Sequence, residues 1–386
     1  MTAVLPRTLA LGGGSIKQLG NMLRQHGITK PLVVTDKPLV ALGVVDRVVR
    51  ELGAPCEVYD DTVPDPTSDT CDALAARLAF GDFDGVVAVG GGSPMDTAKA
   101  ACVLRDLGGR MRDYKAPALT DTTLSLPLVA VPTTAGTGSE ATRFTIVVDS
   151  DSGEKMLCAG SAFVPAGAVV DYELTMGAPR ALTADTGVDA LCHAMEAYVS
   201  RKANPLADGF ALDALRAIGA SLRGACDDDA AGREGMMRAS FYAGVAFSSS
   251  SVTLVHGMSR PLGARFHVAH GRSNAVLVPL VTAFSQRGNE ARYADVAAAL
   301  GFPDADLPVH LARLNADLGV PPLADCLPPG VTRADFLAAA PTMAREALAS
   351  GSPGNNPVVP SLEDVELLYE QIYDAGCEAG ALYAEV

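Results

Sequence analysis

The 386-residue sequence has no long apolar run, no paired-cysteine motif and few basic residues, and each absence excludes a class of protein. Its apolar stretches fall short of the roughly 18 uninterrupted residues that a membrane helix needs. Residues 1–7 lack the basic and then apolar run of a secretory signal peptide, so we expect a cytoplasmic protein. The 30 basic residues, set against 45 acidic ones, are not clustered, and a net charge of −15 disfavours a nucleic-acid partner.

Cysteine and histidine are distributed differently. The eight cysteines are scattered without a C-x-x-C pair, which predicts that most are buried thiols. Histidine is scarcer, and four of the six histidines lie between residues 193 and 270. This concentration of histidines in one part of the chain is the first indication of a site with chemical function. The composition is otherwise that of a globular protein with a sizeable core, being 48% apolar and 19% charged.

Strand and helix signals divide the chain into two parts. The clearest strand candidates are Pro31–Thr35, Gly85–Val89 and Pro127–Val131. They alternate with helix-like stretches such as 70–80, which is the rhythm of a parallel sheet. Strand signals nearly vanish after Pro179, where helical spacing dominates, as in 207–222, 235–247, 290–299 and a last helix capped by Ser361 and Asp364. We predict an α/β domain over residues 1–178 and an all-helical domain over 179–386.

Two polar loops follow neighbouring strand candidates. A glycine-rich turn, residues 90–93, precedes a helical stretch, 97–104, and glycines there let the backbone approach a diphosphate at a helix start. The loop 132–140 carries hydroxyls and glycines at the end of the next strand, where ligands bind in open α/β sheets. Asp36 also ends a strand, and its carboxylate favours NAD over NADP because it would repel a 2′-phosphate. Ligand-free turns remain the alternative.

Four scattered residues suit a metal site. Asp189 and His193 are four apart in a segment with helical periodicity, so their side chains share one face. His256 and His270 are two further candidate ligands. Three imidazoles with one carboxylate suit Fe²⁺ or Zn²⁺ rather than Mg²⁺ or Ca²⁺ and can leave a position for substrate. The alternative is a set of separate histidines that make hydrogen bonds in a helical core.

In combination these stretches resemble the iron-containing (group III) alcohol dehydrogenase family over nearly the whole chain. The matching residues are 90–93 with Asp96, Ala98 and Lys99, the loop 132–140, 186–191 with His193 and Glu196, and His256 with His270. That family shares its fold with glycerol dehydrogenases and dehydroquinate synthases. The resemblance implies a Rossmann-like dinucleotide domain followed by a helical metal domain, NAD(H) and Fe²⁺ as cofactors with Zn²⁺ as the alternative ion, and a homodimer.

The resemblance also implies roles for particular residues. The four metal ligands are expected to be Asp189, His193, His256 and His270. The cofactor site is expected to be lined by Asp36, Gly91, Gly92, Ser93, Asp96, Thr133, Thr134, Thr137 and Lys155.

The chain departs from the family pattern at two places. Arg260 occupies a position where many members have a histidine assigned to proton relay, and Val358 follows Asn356–Pro357 where the family often has Arg. Arg260 cannot relay a proton because guanidinium stays protonated. Two candidates for the proton transfer are His267 and a water chain through the cofactor ribose. Alternatively, His267 lies at the surface or supports the metal ligands.

Arg260 also bears on the substrate. A fixed cation beside the metal suits a carboxylate, sulfonate or phosphonate, so we predict an NAD(H) oxidoreductase that interconverts a short-chain alcohol and aldehyde with an anionic tail held by Arg260. The alternative for Arg260 is a pair with Asp or Glu between the domains. The alternatives for the function are a neutral-alcohol or diol dehydrogenase, a dehydroquinate synthase-like lyase, a maleylacetate-type reductase and a nucleotide-binding module without activity.

Overall fold

The computed structural model describes residues 3–375, within which the chain divides into two compact units between Met176 and Gly177. All strands of the described chain belong to the first unit, and the described part of the second unit is helical. This confirms the predicted fold class, a parallel-sheet α/β part followed by an all-helical part.

The first unit is built on one parallel sheet. Its strands are β1 Thr8–Leu11, β2 Pro31–Val34, β3 Glu57–Tyr59, β4 Gly85–Gly90, β5 Leu128–Pro132, β6 Phe144–Val148, β7 Lys155–Ala159 and β8 Gly167–Val170. Six of them form the sheet in the order β1-β8-β5-β4-β2-β3, and every neighbouring pair is parallel. The remaining pair, β6 and β7, forms an antiparallel hairpin that follows the loop after β5.

The α-helices of the first unit cover both faces of this sheet. They are α1 Leu19–Gln25, α2 Lys37–Ala41, α3 Val44–Leu52, α4 Ser68–Phe80 and α5 Gly92–Leu107. Alternate residues of β4 enter two cores: Val86 and Ala88 pack with residues of α4 and α5, and Val87 and Val89 with residues of α1 and α3. Because both faces are buried, the central strands are continuous apolar runs.

The predicted strands of this unit agree with the structure, whereas both of its predicted helical stretches begin earlier than predicted, α4 by two residues. β2, β4 and β5 each match a predicted strand to within one residue. Helix α5 begins at Gly92, five residues before the predicted stretch, because the glycine turn itself forms its first turn. Pro94 lies in that turn, where a missing N–H has no cost.

The second unit is a helical assembly. Its α-helices are α6 Arg180–Val199, α7 Pro205–Cys226, α8 Ala230–Ser250, α9 Leu254–Phe266, α10 His270–Gln286, α11 Glu290–Ala299, α12 Leu307–Leu318, α13 Leu323–Cys326, α14 Arg333–Ala349 and α15 Leu362–Ala375. The predicted segment 290–299 coincides with α11. The predicted cap of α15 is confirmed, since Ser361 N donates to Asp364 Oδ2 at 2.8 Å and Asp364 N donates to Ser361 Oγ at 3.1 Å.

The cysteines in the described chain are free thiols. Five of these seven are buried, and Cys56 and Cys326 are partly exposed. The eighth, Cys377, lies outside residues 3–375. Among the described residues, none of the helices has the length and apolar character needed to cross a membrane.

Candidate metal and cofactor sites

Three helices of the second unit bring one carboxylate and three imidazoles together. Asp189 and His193 lie one turn apart on α6. His256 lies in the first turn of α9, and His270 is the first residue of α10. One ligand-type atom from each of the four lies within 4.8 Å of all the others. The structure therefore brings together the four side chains that the sequence singles out.

The spacing of these atoms fits one cation. Asp189 Oδ1 lies 3.7 Å from His193 Nε2, 3.3 Å from His256 Nε2 and 3.5 Å from His270 Nε2. Donor atoms about 2.1 Å from a tetrahedral ion are about 3.4 Å apart. Three nitrogens and one carboxylate oxygen are a donor set for Fe²⁺ or Zn²⁺. The residues fit a divalent ion of this kind.

The four side chains differ in exposure, and the difference shows where the site is open. The His270 side chain is 38% exposed, whereas that of Asp189 is 3% exposed. His193 stacks on Phe247 with ring centroids 4.1 Å apart, which fixes its plane within the unit. A small molecule would therefore reach these atoms from the His270 side.

Glu196 fixes the third imidazole. Its carboxylate accepts a hydrogen bond from His256 Nδ1, and it also accepts from Thr253 Oγ1 at 2.8 Å and from Val255 N at 2.7 Å. With Nδ1 protonated, His256 presents the Nε2 lone pair to a cation. We assign Glu196 no role from the sequence, although it lies three residues after His193 on the same helix face, a spacing that could have identified it.

The electrostatics of the site favour a cation. Burial raises the pKa of Asp189, but the imidazoles of His193, His270 and His256 outweigh that effect and hold this pKa far below its usual range. Burial lowers the pKa of His256, but Glu196 and Asp189 together raise it to about 9. A cation that binds here must displace a proton from His256, so its affinity rises with pH.

Arg260 lies one helical turn after His256, and the side-chain hydrogen bond that it makes within residues 3–375 is to a neutral hydroxyl. Its Nη1 donates to Ser352 Oγ at 2.9 Å, and no carboxylate oxygen of residues 3–375 lies within 4.0 Å of the guanidinium. Burial lowers the pKa of Arg260, and the Glu196 carboxylate partly opposes that shift. The alternative considered for Arg260, an ion pair with Asp or Glu between the domains, stays open.

His267 lies at the C-cap of α9, three residues before His270. Its backbone is left-handed, with φ 56°, and its side chain is exposed. Within residues 3–375 the imidazole makes no side-chain hydrogen bond. Both candidate roles, proton relay and a surface position, stay predictions.

The two polar loops of the first unit meet at the carboxyl edge of the sheet. Gly90 is aligned with Pro132 in the parallel β4–β5 pair, and Thr133 N donates to Gly90 O at 3.0 Å. A Cβ atom on Gly91 would lie 3.2 Å from Thr134 Oγ1, and one on Gly92 would lie 3.1 Å from Thr137 Cγ2. Larger side chains at Gly91 and Gly92 would fill the space between the two loops.

The start of α5 is suited to a phosphate group. Gly91 is the N-cap, and neither a side-chain cap nor an acidic residue occupies the first turn of this 16-residue helix. Ser93 lies in that turn and is partly exposed. Backbone N–H groups without an intrahelical partner bind anions there. The residues therefore fit the diphosphate of a dinucleotide.

Gly92→Val is expected to weaken NADH binding by about 5-fold or more, because a side chain pressed against Thr137 costs about 1 kcal/mol or more. Fluorescence titration with NADH measures this. Gly209→Val is the matched control, since a Cβ at Gly209 would meet nothing within 4 Å. An unchanged NADH dissociation constant in Gly92→Val would contradict this assignment of the turn.

Asp96 binds the second loop. Its carboxylate accepts from Ser139 Oγ at 2.7 Å and from Ile146 N at 2.9 Å. It therefore joins α5 to the segment that follows Thr133–Gly138. Its predicted contact with a cofactor stays a prediction.

Two other predicted cofactor residues also have partners within the unit. Asp36 is the N-cap of α2 and accepts from Leu39 N at 2.9 Å, which is the turn-forming role considered as its alternative. Lys155 pairs with Asp65 at 2.7 Å. Their roles towards a cofactor stay predictions.

Two buried titratable residues behind the second loop, Lys99 and Glu140, have no role in the sequence prediction. Lys99 Nζ donates to the carbonyls of Ser139 at 2.6 Å and Phe144 at 3.0 Å. Glu140 is 1% exposed, and neither carboxylate oxygen has a hydrogen-bond partner within residues 3–375. Burial raises the pKa of Glu140 to about 7 and lowers that of Lys99 to about 8.

Glu140→Gln is expected to become more stabilising as the pH rises. Folded Glu140, with its pKa of about 7, holds a proton that the unfolded chain releases near its ordinary value of 4.5, so wild-type stability falls between these values. Glutamine does not titrate, and we expect its advantage to grow by about 1–3 kcal/mol between pH 5 and pH 7.5. Urea unfolding at both pH values measures this. Glu234→Gln, at an exposed position, is the control, and a pH-independent difference would refute the argument.

The fold and the two sites define a class: an oxidoreductase with a dinucleotide-binding α/β unit and a helical unit with a metal-ligand set. Comparison with known proteins identifies the family. Residues 6–172 match the family described as iron-containing alcohol dehydrogenase, and residues 183–373 match the C-terminal part of the Fe-containing alcohol dehydrogenase family. The chain belongs to the iron-containing alcohol dehydrogenase family.

Individual relatives agree with this assignment. Lactaldehyde reductase of Escherichia coli strain K12 is 35% identical over 381 residues, covering 95% of this chain and 98% of the relative. A crystal structure of 1,3-propanediol oxidoreductase aligns with a TM-score of 0.90 at 33% identity, over 96% of this chain and 99% of that one. Sulfoacetaldehyde reductase from Bifidobacterium kashiwanohense, solved with NAD⁺, aligns with a TM-score of 0.85 at 27% identity, over 96% and 98%.

Family membership confirms three sequence predictions. The protein is an enzyme, an oxidoreductase that acts on alcohols or aldehydes. The cofactors of its family are NAD(H) and Fe²⁺. The inactive binding module and the lyase, considered as alternatives, are set aside.

Proposed function

We propose that this enzyme interconverts a short-chain alcohol and its aldehyde when the molecule carries a carboxylate, sulfonate or phosphonate tail. Arg260 carries the proposal, because this partly buried guanidinium lies one turn from His256 and, among the described residues, is held by a neutral hydroxyl. Guanidinium binds such anions through two parallel hydrogen bonds. The similarity to a sulfoacetaldehyde reductase supports this reading.

A neutral substrate is the second candidate. The similarity to lactaldehyde reductase favours it, since that enzyme is named for an uncharged aldehyde. In that case Arg260 would serve to hold Ser352 and the loop before α15.

We also propose which part of the chain binds the dinucleotide and which binds the cation. Residues 1–178 would bind NAD(H) at the carboxyl edge of the sheet, and residues 179–386 would bind the cation through Asp189, His193, His256 and His270. When bound, the cation supplies Lewis acid polarisation of the substrate oxygen, and the nicotinamide accepts or donates the hydride. In the oxidising direction an alcohol and NAD⁺ yield an aldehyde, NADH and one proton.

The remaining tasks fall to this chain's own side chains. Glu196 keeps His256 in the orientation that presents Nε2, and Arg260 would fix the anionic end of the substrate so that the carbinol carbon is placed reproducibly. His267, exposed beside the open His270 side, would exchange the proton with solvent.

His267→Gln is expected to lower kcat by about 10²-fold and to flatten its pH profile, because a general acid–base group of this type contributes at least that factor. Steady-state rates between pH 6 and pH 9 measure both effects. His26→Gln, in the other unit, is the control. A wild-type pH profile in His267→Gln would assign the proton transfer to another group.

A substrate screen tests the proposed function. The oxidation of NADH is followed with Fe²⁺- and Zn²⁺-loaded enzyme, using aldehydes matched in length with a sulfonate, phosphonate, carboxylate or methyl end. We expect kcat/KM to be at least about 10-fold higher for one of the anionic aldehydes, the equivalent of 1.4 kcal/mol. Equal or higher values for the methyl-ended aldehyde would favour the neutral substrate.

The expected homodimer and cytoplasmic location stay predictions. Sedimentation equilibrium of the full chain at micromolar concentration tests the first of them, and a monomer would contradict it.

A further inference from the structure

Asn274 faces the proposed metal ligands from inside the helical unit. It lies one turn after His270 on α10 and is 0% exposed. Its Nδ2 atom is 2.7 Å from Asp189 Oδ1, 3.2 Å from His256 Nε2 and 3.4 Å from His270 Nε2. These are three of the four atoms that would hold the cation. One neutral side chain therefore contacts most of the ligand set.

The orientation of this amide is determined by its neighbours. Rotating it by half a turn would place Asn274 Oδ1 where Nδ2 now lies, 2.7 Å from the Asp189 carboxylate, and two acceptors would face each other. In the observed orientation Asn274 Oδ1 is buried and has no hydrogen-bond partner within residues 3–375. A buried carbonyl without a partner is unfavourable, so the gain must come from the donor side.

We propose that Asn274 is a positioning residue for the cation site, whose amide N–H holds Asp189 Oδ1 in the arrangement that receives the ion. This inference rests on the proposed ligand set. It adds a residue that neither the sequence motifs nor the spacing of the four ligands indicate.

The amide acts on the proposed metal site through the Asp189 carboxylate. Its hydrogen bond to Asp189 Oδ1 fixes the rotation of the carboxylate, so that one oxygen rather than both faces the ion.

Asn274→Leu tests the proposal, since leucine has a similar size and no donor. The probes are Fe²⁺ and Zn²⁺ alone, with affinity measured by competition against a chelator. We expect a 10- to 100-fold loss of affinity, the range typical for groups that orient metal ligands. Asn315→Leu is the matched control because Asn315 donates to Ala275 O of the same helix at 2.6 Å without contacting the ligands.

Two outcomes separate this inference from the proposed ligand set. If His193→Ala binds both ions as tightly as wild type, the ligand set itself is wrong. If His193→Ala loses the ion but Asn274→Leu stays within about 3-fold of wild type, the ligands stand and the role of Asn274 is overturned.

A spectroscopic measurement distinguishes positioning from support of the fold. The visible spectrum of Co²⁺-substituted protein reports coordination geometry, and we expect Asn274→Leu to change its intensity because the released carboxylate can turn a second oxygen to the ion. An unchanged spectrum, together with unchanged affinity, contradicts the proposal. If Asn274→Leu does not fold, the smaller Asn274→Ala, which introduces no overlap, is measured in the same way.

Discussion

Asp189→Asn is expected to lower kcat/KM by at least about 10³-fold, equivalent to roughly 4 kcal/mol of transition-state stabilisation. Asp189 supplies the negative charge on which three imidazoles converge, at distances of 3.3–3.7 Å. An amide keeps the size of the side chain but removes this charge. The four ligand side chains then no longer neutralise part of the charge of a divalent ion. Rate measurements with elemental analysis of protein purified without chelator give both activity and metal content.

The matched control for this variant is one turn earlier on the same helix. Asp185 pairs with Arg272 at 2.6 Å and is not one of the four ligands, so Asp185→Asn should keep its metal. Full metal content and activity in Asp189→Asn would show that the cation is held elsewhere. Loss of metal in both variants would instead indicate a general defect of α6.

Arg260→Gln is expected to raise KM for an anionic aldehyde by about 100-fold, because a charge-assisted hydrogen bond is worth roughly 1.5–3 kcal/mol. For a neutral aldehyde of equal length we expect less than about a 3-fold change. Glutamine can still bond to Ser352 Oγ, which accepts from Arg260 Nη1 at 2.9 Å in the wild type. Michaelis constants for the two aldehydes provide the comparison.

Arg265→Gln is the control for Arg260→Gln, since Arg265 lies on the same helix in an exposed pair with Glu346. It should change neither constant. Equal losses of Arg260→Gln on both aldehydes would assign Arg260 to the support of the loop at Ser352 and would remove the anionic tail from the proposed function.

Much of the fold could be predicted because the signals are local. The strands β2, β4 and β5 are continuous apolar runs, which reflects burial on both faces of the sheet. The four-residue spacing of Asp189 and His193 indicates a shared helix face, and both lie on α6. The cap of α15 by Ser361 and Asp364 is equally local. Each of these features depends on residues close in sequence.

The parts that could not be predicted depend on contacts between distant segments. The spacing from His193 indicates Glu196 itself but not its partner His256, which lies 60 residues away, and Asn274 reaches Asp189 across 85 residues. Neither distance leaves a periodic pattern in the sequence. The Glu140 carboxylate, which has no hydrogen-bond partner within residues 3–375, is likewise visible only once the residues around it are placed. Ser352, the partner of Arg260, lies in a loop 92 residues away.

Two residues that the family resemblance assigns to the cofactor site have other partners in the structure. Asp36 caps α2, and Lys155 pairs with Asp65, so each has a partner within its own unit. Such partners do not decide whether these side chains also contact a cofactor. The resemblance indicates where the cofactor site lies more firmly than it indicates what each residue does there.

The most direct test of the central claim is anomalous diffraction at the iron and zinc edges from crystals of the full chain grown without chelator. We predict one anomalous-difference peak per chain, about 2.0–2.2 Å from Asp189 Oδ1 and from the Nε2 atoms of His193, His256 and His270. A well-occupied peak bound by other residues, with these four side chains left apart, would contradict it.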